Sequence, residues 1–98
     1  MSTCYELVIY SVKPNKLNDF NNLHKCVTNQ LSKRAGFISS LHELSATKKF
    51  TFTDKVVWEN KTTALLAYNE FNTFPCKDEF ISCIETVYYS GHFLEMPS

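Results

Sequence analysis

The alternation of apolar and polar residues predicts four β-strands. Residues 4–12 (CYELVIYSV) are rich in β-forming residues, and residues 37–45 (FISSLHELS) and 50–59 (FTFTDKVVWE) alternate with a period of two. The short polar stretch 46–49 between the second and third strands predicts a hairpin. Residues 87–96 predict a last strand, with Gly91 as its β-bulge. Both faces of the first strand are mostly apolar, which is typical of a strand covered on both sides.

Apolar residues spaced by three and four positions predict two helices. Asn15 is the expected N-cap of the first, which Gly36 closes after about residue 35. Asn60 is the expected N-cap of the second, and Pro75 divides that helix in two. The apolar stripe before the division contains Ala64, Ala67, Tyr68 and Phe71, and the stripe after it contains Cys76, Phe80, Cys83, Ile84 and Val87.

The order β-α-β-β-α-β is that of the ferredoxin-like α+β fold. It predicts a four-stranded antiparallel sheet with helices on one face, in a single domain spanning residues 1–98. Two helices cover only one face of such a sheet. Because the first strand is apolar on both faces, we expect a second copy of the chain to pack sheet against sheet in a homodimer.

Composition and charge exclude some classes of binding partner. The 98 residues carry no formal net charge and a single arginine, Arg34, so they lack the basic patch of a nucleic-acid-binding protein. No apolar run approaches the roughly 20 residues that a membrane-spanning helix needs. With 44% hydrophobic residues the chain is expected to be globular, and its ligand to be apolar and not phosphorylated.

Cysteine and histidine positions give no sign of a metal or cofactor. The four cysteines lie at apolar positions of the predicted elements and form no C-x-x-C pair, so they are expected to be small buried thiols. The three histidines form no local metal-binding motif. The first residues do not resemble a signal peptide, so a cytoplasmic location is expected.

Several stretches resemble one known family. The segment FTFTDKVVWENKTTALLAYNEF is similar to the strand and helix motif of the antibiotic biosynthesis monooxygenase-like family of dimeric α+β barrels, with Asn60 where serine is usual. VIYSVKPNKLNDF and RAGFISSLHEL match its first strand, first helix and second strand, with Ala35 in place of proline. FISCIETVYYSGHF resembles its last segment, which ends in His92 and Phe93. The resemblance covers residues 5–96.

The resemblance implies a fold that dimerises through its sheets. Members of the family oxidise aromatic polyketides without metal or flavin, degrade haem, or have no assigned activity. In the haem-degrading members a tryptophan and a histidine ligand lie on the broken helix. Ala67 and Lys77 stand at those places here, so haem is not expected.

On this resemblance we expect a cofactor-independent monooxygenase for a small aromatic or polyketide-like substrate. His92 would remove a phenolic proton, because its pKa lies near neutrality, unless it is a buried histidine bonded to a carbonyl group. Trp58 would hold the substrate ring, unless it anchors the core or the dimer interface.

The remaining candidate residues would form the substrate pocket. Tyr10 and His42 lie on other strands than His92 and are candidates for its neighbours. Asp54 either orients a histidine or makes an ordinary turn or ion pair. Tyr68, Phe71 and Phe80 either pack as core or line an apolar pocket at the Pro75 break. His24 is expected to be a surface residue or core filler.

Two other functions fit the same residues. One is a non-catalytic dimer that binds a small hydrophobic ligand in the pocket. The other is an assembly role, with the cavity filled by the protein's own side chains. Fold alone does not decide among them.

Overall fold

The chain forms one antiparallel sheet with its helices on one face. The structure, a computed structural model, describes residues 2–97, and the strand order is β2-β3-β1-β4. The elements are β1 Cys4–Val12, α1 Leu17–Ser32, β2 Phe37–Leu44, β3 Thr51–Trp58, α2 Lys61–Glu70, α3 Lys77–Cys83 and β4 Ile84–Leu94. This confirms the ferredoxin-like α+β fold and the β2–β3 hairpin expected from the sequence.

The first helix differs from the prediction at both ends. Asn15 is not its N-cap, because Pro14 opens a 3-10 turn that leads into α1 without a side-chain cap. The helix ends at Ser32, before the predicted residue 35. Gly36 lies in the following turn at a φ of +84°, and a Cβ there would collide with the side chain of Thr63. The glycine therefore lets the turn lie directly against α2.

The second helical region is broken as predicted. The Asn60 side chain accepts a hydrogen bond of 2.9 Å from the Thr63 N–H, so its N-cap role is confirmed. A 3-10 turn, Phe71–Thr73, and Pro75 separate α2 from α3. The prediction that Ile84 continues the helical stripe is wrong, and so is that for Val87. Both residues belong to β4, because the chain there pairs with β1.

The irregularity of β4 lies earlier than expected. Gly91 pairs regularly with Leu7, so the predicted bulge at Gly91 is wrong. The register instead shifts twice. One shift, between the Ile9–Tyr89 and Tyr10–Val87 pairs, leaves Tyr88 as an extra residue, and the other, between the Ser11–Thr86 and Val12–Ile84 pairs, leaves Glu85. Gly91 makes room for a neighbour, since a Cβ there would collide with the Tyr89 hydroxyl group.

The core lies between the sheet and the helices. Phe20 of α1 and Trp58 of β3 are fully buried there, and Tyr10 is 2% exposed. The opposite face of the sheet is not covered by any element within residues 2–97, and its exposed apolar side chains include Tyr5, Leu41, Tyr89 and Phe93. None of the helices in this range is long and apolar enough to cross a membrane.

The expectation of four free thiols is wrong for two of the cysteines. Cys26 of α1 and Cys76, just before α3, form a disulfide with a Cα–Cα distance of 6.4 Å. Cys4 and Cys83 are free and buried, as expected. The apolar positions of Cys26 and Cys76 place both inside the same helical layer. Side-chain spacing along the chain does not show that the two helices bring them together.

Candidate functional site

A cavity of about 570 Å³ lies between the sheet and the broken helix. Its lining is mostly apolar, and its size is within the range of small-molecule sites. Five of the residues proposed from the sequence as pocket residues line it: Tyr10, Asp54, Tyr68, Phe71 and Phe80. His42 does not line it and faces a neighbouring groove.

Two local features of the sequence create this cavity. Alternate residues of β1 face the helices, which places Glu6, Val8 and Tyr10 along its floor. On the other side, Phe71 comes from the turn before Pro75 and Phe80 from the helix after it. Because these two helical pieces do not form one continuous rod, space is left between them and the sheet.

One end of the cavity contains Glu6, a residue that the sequence analysis did not propose. His92 lies opposite it in the β1–β4 ladder, with His92 Nε2 3.6 Å from Glu6 Oε2, too far for a hydrogen bond. His92 itself is not among the residues that line the cavity. Burial raises the pKa of Glu6 to about 7, and the nearby negative charge of Asp54 adds to this effect. Burial lowers the pKa of His92, so its imidazole is neutral near pH 7.

Trp58 lies behind this pair and not in the cavity wall. Its indole packs edge-on against Phe37 with ring centroids 5.7 Å apart, in a core cluster that includes Ala64 and Ala67 of α2. The indole N–H makes no hydrogen bond of good geometry, but it is close enough to the Glu6 carboxylate to lower its pKa. Trp58 therefore affects the site through its contact with Glu6.

Asp54 is the centre of a second polar cluster. Its Oδ1 lies 2.9 Å from His24 Nε2 and 2.5 Å from His42 Nδ1. Its Oδ2 accepts a hydrogen bond of 2.8 Å from the Tyr10 hydroxyl group. Asp54 thus contacts two histidines, while His92 pairs with Glu6 instead.

The contacts of Asp54 set its charge. Burial alone would raise the pKa of Asp54, but hydrogen bonds from His24, His42 and Tyr10 outweigh it and hold the pKa at about 2. Burial and the adjacent carboxylate raise the pKa of Tyr10 well above its usual range. The cluster therefore carries an ionised Asp54 and a neutral Tyr10 at neutral pH.

His24 is not the surface or filler residue that the sequence analysis expected. It stacks on His42 with ring centroids 3.7 Å apart and bonds to Asp54. Residues near His24 in the sequence do not indicate this role, because its partner Asp54 is 30 residues away. Glu6 did give a signal: it is the acidic residue on a strand that is otherwise mostly apolar.

Comparison with known proteins gives matches only among solved structures. No protein-family model matches the chain, and no curated protein matches it. The crystal structure of SnoaB, a cofactor-independent oxygenase from Streptomyces nogalater, matches with a TM-score of 0.78 and 12% sequence identity, over 100% of this chain and 95% of SnoaB.

Two further structures match over nearly their whole length. A protein from Bordetella bronchiseptica, provisionally assigned as an antibiotic biosynthesis monooxygenase, has a TM-score of 0.81 and 13% identity, covering 99% of this chain and 100% of that one. A Bacteroides thetaiotaomicron protein of unknown function, noted as an oxidoreductase candidate, has a TM-score of 0.78 and 16% identity, covering 96% and 98%.

These matches confirm the resemblance at the level of the fold. The chain has the ferredoxin-like fold that these solved antibiotic biosynthesis monooxygenase-like structures share. At such low identity the activity of each neighbour is a property of that neighbour.

Proposed function

We propose that this chain is a cofactor-independent monooxygenase for a small aromatic or polyketide-like molecule. The observation that carries the proposal is Glu6, a carboxyl group in the lining of an apolar cavity, with His92 Nε2 3.6 Å from its Oε2. The fold is also that of SnoaB, a cofactor-independent oxygenase. The expected ligand is flat and apolar, because Tyr68, Phe71 and Phe80 contribute aromatic rings to the lining.

The first step of the proposed reaction is removal of a proton from the substrate. A base works best when its pKa is near the working pH, and the Glu6 pKa of about 7 meets that condition. His92 stands behind Glu6 as a neutral imidazole and would accept or return the proton. In this scheme Trp58 is a positioning residue, since its N–H acts on the Glu6 carboxylate.

The electrons for the oxidation would come from the substrate itself. Loss of the proton gives a carbanion that is delocalised over the aromatic ring, and this carbanion reduces dioxygen to form a carbon-bound peroxide. Loss of water then converts a ring CH₂ group into C=O, with one oxygen atom retained and the other released as water. The overall balance, R₂CH₂ + O₂ → R₂C=O + H₂O, needs no external reductant.

Oxygen uptake and product mass would test the activity. A panel of hydroxyaromatic compounds is incubated with the protein in air and under anaerobic conditions, with ¹⁸O₂ as a label. We expect substrate loss only with oxygen and one labelled oxygen atom in the product. Equal substrate loss with and without oxygen would contradict the monooxygenase proposal.

Matched variants identify the base. Glu6→Gln and His92→Ala should each lower kcat by about 10²-fold or more, the usual contribution of a general base. Glu59→Gln, at an exposed glutamate beside Trp58, is the control and should leave kcat unchanged.

The alternative function is a non-catalytic dimer that binds a hydrophobic ligand in the same cavity. It predicts binding without oxygen uptake, and a ligand affinity that His92→Ala leaves unchanged. The third function, an assembly role with the cavity filled by the protein's own side chains, is less well supported, because open space remains beside Phe71.

Homodimerisation through the uncovered sheet face is part of the proposal. The exposed apolar residues of that face support it. A cytoplasmic location is proposed as well, although disulfides are more typical of oxidising compartments. Trapping of free thiols in intact cells would decide whether Cys26 and Cys76 are paired there.

A further inference from the structure

A group of metal-ligand side chains lies beside the cavity, where α1 crosses β2 and β3. His24, His42 and Asp54 each offer one ligand atom, and these atoms lie within 4.8 Å of one another. We propose that they bind one divalent transition-metal ion. Two imidazoles and one carboxylate are a donor set suited to Zn²⁺, Fe²⁺ and Co²⁺.

The distances match a site that an ion can enter with little movement. His24 Nε2 and His42 Nδ1 both approach the same oxygen of Asp54, at 2.9 and 2.5 Å. Metal bonds of about 2.0–2.2 Å place neighbouring ligand atoms about 3 Å apart. An ion would therefore take the place of these two contacts after an outward shift of the ligand atoms, with each imidazole offering a nitrogen lone pair and keeping its proton on the other ring nitrogen.

The surrounding residues already orient the ligands. The Tyr10 hydroxyl group donates to Oδ2 of Asp54 at 2.8 Å, which fixes the carboxylate and leaves Oδ1 for the ion. The His42 ring stacks on Phe52, with centroids 5.1 Å apart and planes 8° apart, and the His24 ring packs on Phe20 at 5.6 Å. Partners that orient a ligand in this way are typical of metal sites.

Ligand chemistry and access favour a cation. Asp54 supplies a carboxylate oxygen and the two histidines supply ring nitrogen atoms, all of which are ligand types that transition-metal cations bind. His24 and His42 also line an open groove between α1 and β2, together with Thr28 and Ser40. An ion can enter from that groove, and three protein ligands leave coordination positions free for water or a small anion.

The proposed metal ligands are different residues from those proposed to move the substrate proton. The oxygenation relies on Glu6 and His92, on β1 and β4, and takes its electrons from the substrate. The metal ligands lie on α1, β2 and β3. Asp54 also lines the cavity and its charge raises the pKa of Glu6, so Asp54→Asn can alter both properties. His24 does not line the cavity, so His24→Ala is the variant that separates loss of metal binding from loss of oxygenation.

Cobalt binding provides the direct test. The full chain is prepared without a histidine tag, freed of metal and titrated with Co²⁺, whose visible absorption reports imidazole and carboxylate coordination. We expect one ion per chain and displacement by Zn²⁺. X-ray absorption of the Zn²⁺-loaded unmutated protein should show two imidazole ligands. Absence of the cobalt spectrum, or a spectrum without imidazole, would overturn the proposal.

Variants locate the ion. His24→Ala and Asp54→Asn should each abolish the cobalt spectrum, while His92→Ala, at the histidine outside the cluster, should keep it. Tyr10→Phe removes only the orienting hydrogen bond and should weaken binding by about 10-fold. Circular dichroism establishes that each variant is folded. Binding that persists in folded His24→Ala and Asp54→Asn would overturn the assignment.

Discussion

At Glu6 a carboxyl group faces the cavity from a strand whose neighbours on the same face are apolar. Its pKa of about 7, against a usual 4.5, results from burial first and from the charge of Asp54 second. A carboxyl group with a raised pKa binds more protons in the folded than in the unfolded chain between these two values. The stability of the fold therefore falls as the pH rises through that range.

Substitution of Glu6 by glutamine should remove this pH dependence. The shift of the Glu6 pKa corresponds to about 3 kcal/mol. We expect the free energy of unfolding of Glu6→Gln, relative to the unchanged protein, to increase by about that amount between pH 4 and pH 8. Urea unfolding across this range measures it. If the free energies of unfolding of the two proteins change with pH in parallel, the pKa assignment is contradicted. Glu59→Gln is the control, and its free energy of unfolding relative to the unchanged protein should not change with pH.

The roles of some site residues can be predicted from the sequence, and those of others cannot. Glu6 could have been found, because an acidic side chain on an apolar strand face needs a reason. The role of His24 could not, because its two contacts come from strands that are distant in sequence. The chemistry of an imidazole marks His92 as a candidate base, but the sequence does not show that its neighbour is Glu6 and not Asp54.

At the scale of elements, local signals predicted most of the structure. Period-two patterns located four strands, and Asn60 and Pro75 marked a helix start and a break. The wrong predictions concern residues whose secondary structure is decided by pairing with a strand that is distant in the sequence. Ile84 looks helical by spacing but joins β4, because its backbone pairs with Val12 of β1. The two ends of α1, at Leu17 and Ser32, are set by turns without a side-chain cap, which sequence patterns do not reveal.

The Cys26–Cys76 disulfide connects α1 to the start of α3 across 50 residues of chain. Removing it with Cys26→Ser and Cys76→Ser together should lower the free energy of unfolding by about 2–4 kcal/mol, chiefly because the unfolded chain is freer. Chemical unfolding with and without a reductant measures this. The reductant should destabilise the unchanged protein and leave the double variant unaffected. Four alkylatable thiols in the oxidised, unfolded protein would contradict the bond.

At the scale of the whole molecule, one face of the sheet exposes apolar side chains that no helix within residues 2–97 covers. Tyr89 and Phe93 stack there with ring centroids 5.9 Å apart, and Tyr5 pairs with Phe93 from β1. An apolar patch of this kind on a small protein is typical of a protein interface. The sequence already indicated it, since β1 is apolar on both sides.

Light scattering tests the homodimer. We expect a mass of about twice the 11.3 kDa of the chain at micromolar concentration. Phe93→Asp, on the uncovered face, should weaken the dimer by at least about tenfold, because it places a charge in an apolar contact. Leu66→Asp, at an exposed leucine of α2, is the control and should leave the mass unchanged. A single-chain mass for the unchanged protein would rule the dimer out.

The nine residues of β1 serve two surfaces in alternation, and this has an evolutionary consequence. Glu6, Val8 and Tyr10 shape the cavity, while Tyr5, Leu7 and Ile9 shape the opposite face. Point substitutions can therefore alter ligand preference and surface properties independently of each other. An insertion or deletion of one residue would exchange the two sets at once, so we expect β1 to vary in its residues but not in its length as the protein diverges.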